Sequence, residues 1–163
     1  MVYTSVMLNF KEGERFAKDT WIDPANIGDL EAIVKINSQL HMDLPNFIWD
    51  QKEWILEEIQ NGNFFVFRDN GSIGGAICFS ADENELEIES LSVSGYEQGK
   101  GIGKKLVEFA IEAARQKGIK KVTVESFPGY GVKDFYLKCG FVPDDPPTDI
   151  FEGEIFNRFV ANI

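Results

Sequence analysis

The chain has 163 residues, 44% of them apolar, with 16 Lys and Arg against 27 Asp and Glu, a formal net charge of −11. That length suits one domain with a real core, and the acidic balance argues against nucleic acid, whose binding rests on neutralising phosphates. No run of about eighteen apolar residues is available to span a bilayer, and the start lacks a basic segment leading into a long apolar one.

Two cysteines, Cys78 and Cys139, lie in apolar surroundings and read as buried free thiols of a reducing compartment, so a cytoplasmic location is expected. The negative charge suits a cationic ligand such as an amine, or serves solubility alone.

In chain order, Val2 to Phe10 has strand character. Lys11 to Glu14 then turns into a second strand at Phe16 to Ile22, which Asp23-Pro24 ends. Residues 1–14 are an N-terminal extension or extra strand, and 15–163 are expected to form a single domain. Asp29 is the expected N-cap of a helix carrying Leu30, Ile33, Val34 and Leu40 on one face, broken at Asp43-Leu44-Pro45-Asn46. A second helix is expected from Phe47 to Gln60, stopped by Asn61-Gly62-Asn63.

Strands at Phe64 to Asp69 and Ser72 to Ser80 flank an Asp69-Asn70-Gly71 hairpin turn. Ala81 to Asn84 turns into a third strand, Glu85 to Val93, completing an antiparallel meander. From Ile102 to Lys117 the apolar residues Ile102, Leu106, Phe109, Ala110 and Ala113 recur at helical spacing, and Gly118 ends the helix.

Lys121 to Ser126 is a strand, making a parallel crossover. A loop at Phe127 to Gly131, a short helix at Val132 to Cys139 and a strand from Phe141-Val142 follow. An acidic, proline-containing loop, Pro143 to Glu154, leads to a last strand at Ile155 to Val160. The fold class is α/β: a mixed, mostly antiparallel central sheet with helices on its faces.

Within Leu86 to Val93 the apolar phase flips, with Leu86 and Ile88 at even positions and Leu91 and Val93 at odd ones. A strand changes face only through an extra residue, so a β-bulge is expected near Glu89 to Leu91, freeing backbone N–H groups for a ligand carbonyl. Glu87 and Glu89 precede the flip on one face. They are solvated carboxylates or, beside a ligand groove, candidate general bases.

Between that strand and the best helix lies Gln98-Gly99-Lys100-Gly101-Ile102-Gly103-Lys104. A strand, a glycine turn and a helix N-terminus make a phosphate site. A Walker loop fails, because Gln98 stands where its first glycine belongs and Lys105 replaces the Ser or Thr. A dinucleotide fingerprint fails at Lys104, where it needs glycine.

The segment does resemble the Gln/Arg-x-x-Gly-x-Gly/Ala motif of the GNAT superfamily of N-acetyltransferases. Leu91-Ser92-Val93 precedes it at that family's spacing. Asp134-Phe135-Tyr136-Leu137-Lys138-Cys139-Gly140-Phe141 is similar to the family's Phe-Tyr-x-x-x-Gly-Phe signature, and the order of elements matches over about nine tenths of the chain. One departure stands out: the family's frequent Asn falls at Gly129, and its frequent Ala at Val132.

The resemblance implies acetyl-CoA as co-substrate, no metal, and a splayed parallel strand pair with the cofactor in the gap. Gln98, Gly99, Lys100, Gly101, Ile102, Gly103 and Lys104 would hold the pyrophosphate, and the backbone of Leu91, Ser92 and Val93 the acetyl and pantetheine arm. An amine would attack the thioester directly. Tyr136 matches the family's general acid, Glu87 aligns with the base of one branch, and Glu89 is the neighbouring candidate.

His41, near the end of the first helix, is a capping residue or faces the acceptor. Phe47, Trp49 and Trp54 are core residues or an acceptor wall, and Cys139 is core rather than nucleophile. Asp144, Asp145, Asp149, Glu152 and Glu154 either attract a cation or solvate their loop. The acceptor is expected to be a small-molecule or protein amine, with a homodimer left open. The alternative is a non-catalytic acyl-CoA-binding or regulatory domain, which would bind acetyl-CoA without releasing thiol to any amine.

Overall fold

The computed structural model describes residues 14–17, 20–144 and 150–163. The elements run β1 (Glu14–Ala17), β2 (Thr20–Pro24), α1 (Leu30–Asn37), α2 (Lys52–Gln60), β3 (Phe64–Asp69), β4 (Ser72–Ala81) and β5 (Leu86–Val93). They continue with α3 (Ile102–Gln116), β6 (Lys121–Ser126), α4 (Lys133–Lys138), β7 (Val142–Pro143), β8 (Ile150–Phe151), β9 (Glu154–Ile155) and β10 (Asn157–Asn162). Eight strands form one sheet in the order β1-β2-β3-β4-β5-β6-β10-β7, and β8 and β9 form a separate hairpin. In the large sheet only β5 and β6 run parallel, as the strand–helix–strand order requires.

Period-two alternation on β3 and β4 divides the core between the two faces of the sheet. Phe65, Phe67, Ile77 and Phe79 point to one face, where α3 buries Leu106, Val107, Phe109 and Ala110. Phe65 stacks on Phe79 with ring centroids 4.8 Å apart. Phe64, Val66, Ala76 and Cys78 point to the other face, against Leu30 and Ile33 of α1 and Ile55 and Ile59 of α2. Each Val, Leu, Ile or Phe among them, fully buried, contributes about 1.5–3 kcal/mol.

The meander, its Asn70-Gly71 turn, α3 and β6 lie where the sequence places them. Asn70 and Gly71 both have positive φ, 49° and 82°, as a two-residue hairpin loop requires.

Other expectations are corrected. The strand expected at Phe16 to Ile22 is instead a hairpin, with Ala17 of β1 opposite Thr20 of β2; the strand expected at Val2 to Phe10 lies outside the described residues. Asp29 does not cap α1 with its side chain. Asn26 caps a preceding 3-10 turn by accepting from the Gly28 N–H at 2.9 Å, and Asp29 accepts from the Asn26 N–H at 2.9 Å. Arg68 donates to both oxygens of Asp29, to Oδ1 at 3.0 Å and to Oδ2, which also takes the Asn26 N–H, at 2.8 Å.

The first helix ends at Asn37, and Leu40 belongs to a 3-10 turn. The second begins at Lys52 rather than Phe47, because the Phe47 ring is buried among Trp49 and Phe127 instead of lying on a helix face. The far end of the expected acidic loop folds as the β8–β9 hairpin, turning at Glu152 and Gly153 with φ 48° and 85°. The last strand starts two residues later than expected, at Asn157.

Candidate active site

The site begins with the irregularity in β5. Phe79 on β4 lies opposite Ile88 and Cys78 opposite Ser90, so Glu89 is an inserted residue with no register position opposite it on β4. Past it the faces exchange. Leu91 and Val93 pack on the α3 side with Leu86 and Ile88. Ser92 points to the other face, where its hydroxyl donates to Asn37 Oδ1 at the end of α1.

At the same point β5 leaves β6. The parallel ladder pairs Leu86 with Val122, Glu87 with Thr123 and Ile88 with Val124, and goes no further. Beyond it the Ser94 N–H bonds the Gly74 carbonyl on the β4 side, at 2.9 Å. Strand alternation therefore turns the backbone groups of Val93 and Leu91 the other way, into the gap.

A cleft of about 660 Å³ occupies the gap. Glu87, Glu89, Leu91, Ser92, Val93, Gln98, Gly99, Gly101, Ile102, Gly103, Lys104 and Tyr136 all line it. Lys100 does not; its ammonium pairs with Glu97 at 3.1 Å.

The glycine turn closes one end of the cleft. Gly99 and Gly101 have φ of +82° and +80°, a conformation glycine adopts without strain, and a Cβ at either would meet open space, which leaves room for a ligand. α3 starts at Ile102, and the N–H groups of its first turn have no carbonyl a turn earlier to bond. A Cβ on Gly103 would come within 3.3 Å of the Phe135 ring, so glycine there lets α4 pack against the start of α3. Lys104 and Lys138 add positive charge to the wall. This end has the donors, dipole and space that a pyrophosphate needs.

Gln98 Nε2 donates to the Val93 carbonyl at 3.2 Å and to Gln39 Oε1 at 3.1 Å, while Gln39 Nε2 reaches the same carbonyl at 3.1 Å. Gly129, where the family's Asn falls, sits in a 3-10 turn at Pro128–Tyr130, and a Cβ there would meet open space; Val132 lines the cleft.

In mid-cleft Tyr136 is 5% exposed, its ring packed against Phe135, Phe141 and Phe159. Burial, and then the nearby Cys139, push the phenol well above its ordinary value, so it holds its proton. Burial likewise raises the Cys139 thiol, which is poor preparation for a nucleophile. Across the cleft, burial and then the carboxylates of Glu58 and Glu125 push Glu89 up, against a hydrogen bond from the Ser80 hydroxyl at 3.3 Å. Beside it the Ser90 hydroxyl is buried without a hydrogen-bond partner among the described residues.

An aromatic wall stands on the α1 face. Trp49, Phe127, Tyr130 and Phe156 line the cleft, with Phe127 4.5 Å from Phe156 and 5.6 Å from Tyr130 between centroids. Phe47 packs behind Trp49, whereas Trp54 lies against Phe64 under α2, away from the cleft. His41 is outside the wall; its Nδ1 is 2.6 Å from Asp50 Oδ2. Of the acidic loop, Asp144 lies near Arg158 and Glu152 accepts from Asn46, while Asp145 and Asp149 are outside the described residues.

Gln39, Ser90, Glu125 and Phe156 were not marked by the sequence, and Phe127 and Tyr130 only as part of the 127–131 loop that stands where the family's Asn is missing. They come from four separate segments, and no local pattern joins those segments. Among the described residues, no helix is long and apolar enough to cross a membrane.

A family model described as the acetyltransferase (GNAT) family matches residues 30–141. Among solved structures, the fold is similar to that of Ard1 from Thermoplasma volcanium, at 19% identity and a TM-score of 0.75, over 89% of this chain and 98% of that one. It is also similar to the PaiA N-acetyltransferase from Thermoplasma acidophilum in complex with coenzyme A, at 22% identity and TM-score 0.73, over 88% and 99%. A third likeness is YncA from Salmonella typhimurium, a putative acetyltransferase with its cofactor acetyl-CoA, at 22% identity and TM-score 0.67, over 88% and 92%.

Proposed function

The chain belongs to the acetyltransferase (GNAT) family, and we propose that it transfers the acetyl group of acetyl-CoA to a primary amine by direct attack within a ternary complex. The observation that carries this reading is the gap between β5 and β6, which opens at Ile88 and Val124 with Glu89 and Tyr136 both on its walls. That two relatives of like fold are described with coenzyme A or acetyl-CoA supports the choice of donor.

The glycine turn and the N-terminus of α3 would hold the pyrophosphate. Backbone groups of Leu91 and Val93 would hold the pantetheine arm and meet the oxyanion. An alkylammonium of pKa about 10.4 costs about 4–5 kcal/mol to deprotonate at neutral pH. Glu89 is the preferred base over Glu87, because it is the inserted residue at the mouth of the gap and its raised pKa brings it nearer neutrality.

Glu89 takes the ammonium proton directly or through water. The amine nitrogen then attacks the carbonyl carbon, the C–S bond breaks, and Tyr136 gives its proton to the leaving thiolate. The new amide nitrogen loses its extra proton, Tyr136 is reprotonated, and one proton is released per turnover. The acceptor is read as a cationic amine, in keeping with the net charge of −11.

Free-thiol release from acetyl-CoA across a panel of amines tests the reading. Amine-dependent release supports it. Tight binding of acetyl-CoA with no release by any amine would leave a non-catalytic binding domain instead.

A further inference from the structure

The two ends of the cleft lie on opposite faces of the sheet. The glycine turn leads into α3, on the face of Leu91 and Val93. The aromatic wall is tied to the other face, because Asn37 of α1 accepts from the Ser92 hydroxyl and donates through Nδ2 to the Trp49 carbonyl at 2.9 Å. Donor and acceptor therefore approach from different sides and meet at the bulge.

Two hydrogen-bonding groups of the acceptor wall are already engaged. The Tyr130 hydroxyl donates to the Leu40 carbonyl, and the Trp49 carbonyl is taken by Asn37. At the floor Ser90 is 6% exposed, its hydroxyl has no partner among the described residues, and it lies beside Glu89. A buried polar group left unsatisfied costs about 1–3 kcal/mol, which a ligand that reaches it recovers.

Glu89 and Ser90 below an aromatic wall suit an occupant with a polar head and an apolar body; Glu87 and Glu125 also line the cleft. Trp49 and Phe127 meet edge to face at 80°, and Trp49 is only partly buried, so its ring offers apolar surface to a further flat group. Resting on the acetyl-transfer reading above, we infer that the acceptor is a primary amine joined by a short alkyl arm to an aromatic or similarly flat apolar group, its nitrogen at Glu89 and Ser90 and its ring against Trp49.

Thiol release at fixed acetyl-CoA with phenethylamine, tryptamine, spermidine and a lysine peptide decides this. The expected result is a kcat/KM for the two arylalkylamines at least tenfold above the others. Spermidine or the peptide matching them would overturn the inference while leaving acetyl transfer standing. No release with any amine would overturn both.

In Ser90→Ala the KM for phenethylamine should rise about tenfold with a smaller change in kcat, and the KM for acetyl-CoA should hold. In Trp49→Ala the KM for phenethylamine should rise at least tenfold more than that for ethylamine. Equal effects on the two amines would contradict a ring against Trp49. Should Trp49→Ala not fold, the wild-type panel and Ser90→Ala still decide.

Discussion

Ile88 of β5 pairs with Val124 of β6, and that pair is the last rung of the parallel ladder. The next residue, Glu89, is the one inserted against β4. One irregularity thus does two things: it exchanges the faces of β5, and it coincides with the point where β5 and β6 part. An inserted residue increases local twist and bends its strand, a physical reason for the two strands to diverge there.

Replacing Tyr136 with Phe keeps the ring among Phe135, Phe141 and Phe159 and removes the proton donor. Turnover should fall about 10²- to 10⁴-fold, while acetyl-CoA affinity by calorimetry stays within a factor of two or so of the parent. Turnover at the parental rate would remove Tyr136 from the chemistry.

Glu89 must be ionised to accept a proton, so kcat/KM should fall as pH drops through its raised pKa. Its effect on stability has the opposite sign. A carboxyl whose pKa is higher folded than unfolded binds more protons when folded, so stability falls as pH rises from the unfolded value through the folded one. Glu89→Gln should therefore lose activity and the acidic limb of the profile, yet melt higher than the parent at neutral pH. An unchanged acidic limb would point to another base.

The glycine turn can be probed at two positions for two reasons. Gly101 has φ +80°, so Gly101→Ala should cost about 1–2 kcal/mol in local backbone energy. Gly103→Val should push on the Phe135 ring, at a cost of about 1–3 kcal/mol. Both should weaken CoA binding, read as a smaller thermal shift on adding CoA. A full shift in both variants would mean that CoA binds elsewhere.

The donor half of the site was legible because it is local. Three glycines, a strand before them and a 3.6-residue period after them lie within Leu86 to Lys117, and the phase flip marked the bulge. The proposed acceptor half was legible only at Trp49, read as core or acceptor wall, since Ser90, Phe127, Tyr130 and Phe156 join it only through tertiary packing. The helix expected from Phe47 failed for the same reason. Phe47, Ile48 and Trp49 look like the start of an apolar face, but Phe47 is held by Trp49 and Phe127, the latter eighty residues along the chain. Asp29 read as a cap by type and position, and nothing nearby announced Arg68 as its partner.

Arg68 ties β3 to Asp29 and to Asp23, the latter at 3.0 Å, with little of its side chain exposed. Burial raises the Asp29 carboxyl, but the Arg68 hydrogen bonds, the Asn26 N–H and the Arg68 charge outweigh it and hold the group below its ordinary value. Its contribution is thus present above the unfolded pKa and lost as pH falls through the folded one. Arg68→Ala should destabilise by about 3 kcal/mol, measured by urea unfolding at neutral pH, with a smaller loss in acid. A variant as stable as the parent at neutral pH would show the pair contributes nothing net.

Initial rates of thiol release, with acetyl-CoA and an amine varied together, test direct transfer across the β5–β6 gap most closely. The account predicts amine-dependent release, an N-acetylated product by mass spectrometry, and double-reciprocal lines that intersect. Parallel lines with an acetylated enzyme, or acetyl-CoA bound with no amine-dependent release, would contradict it.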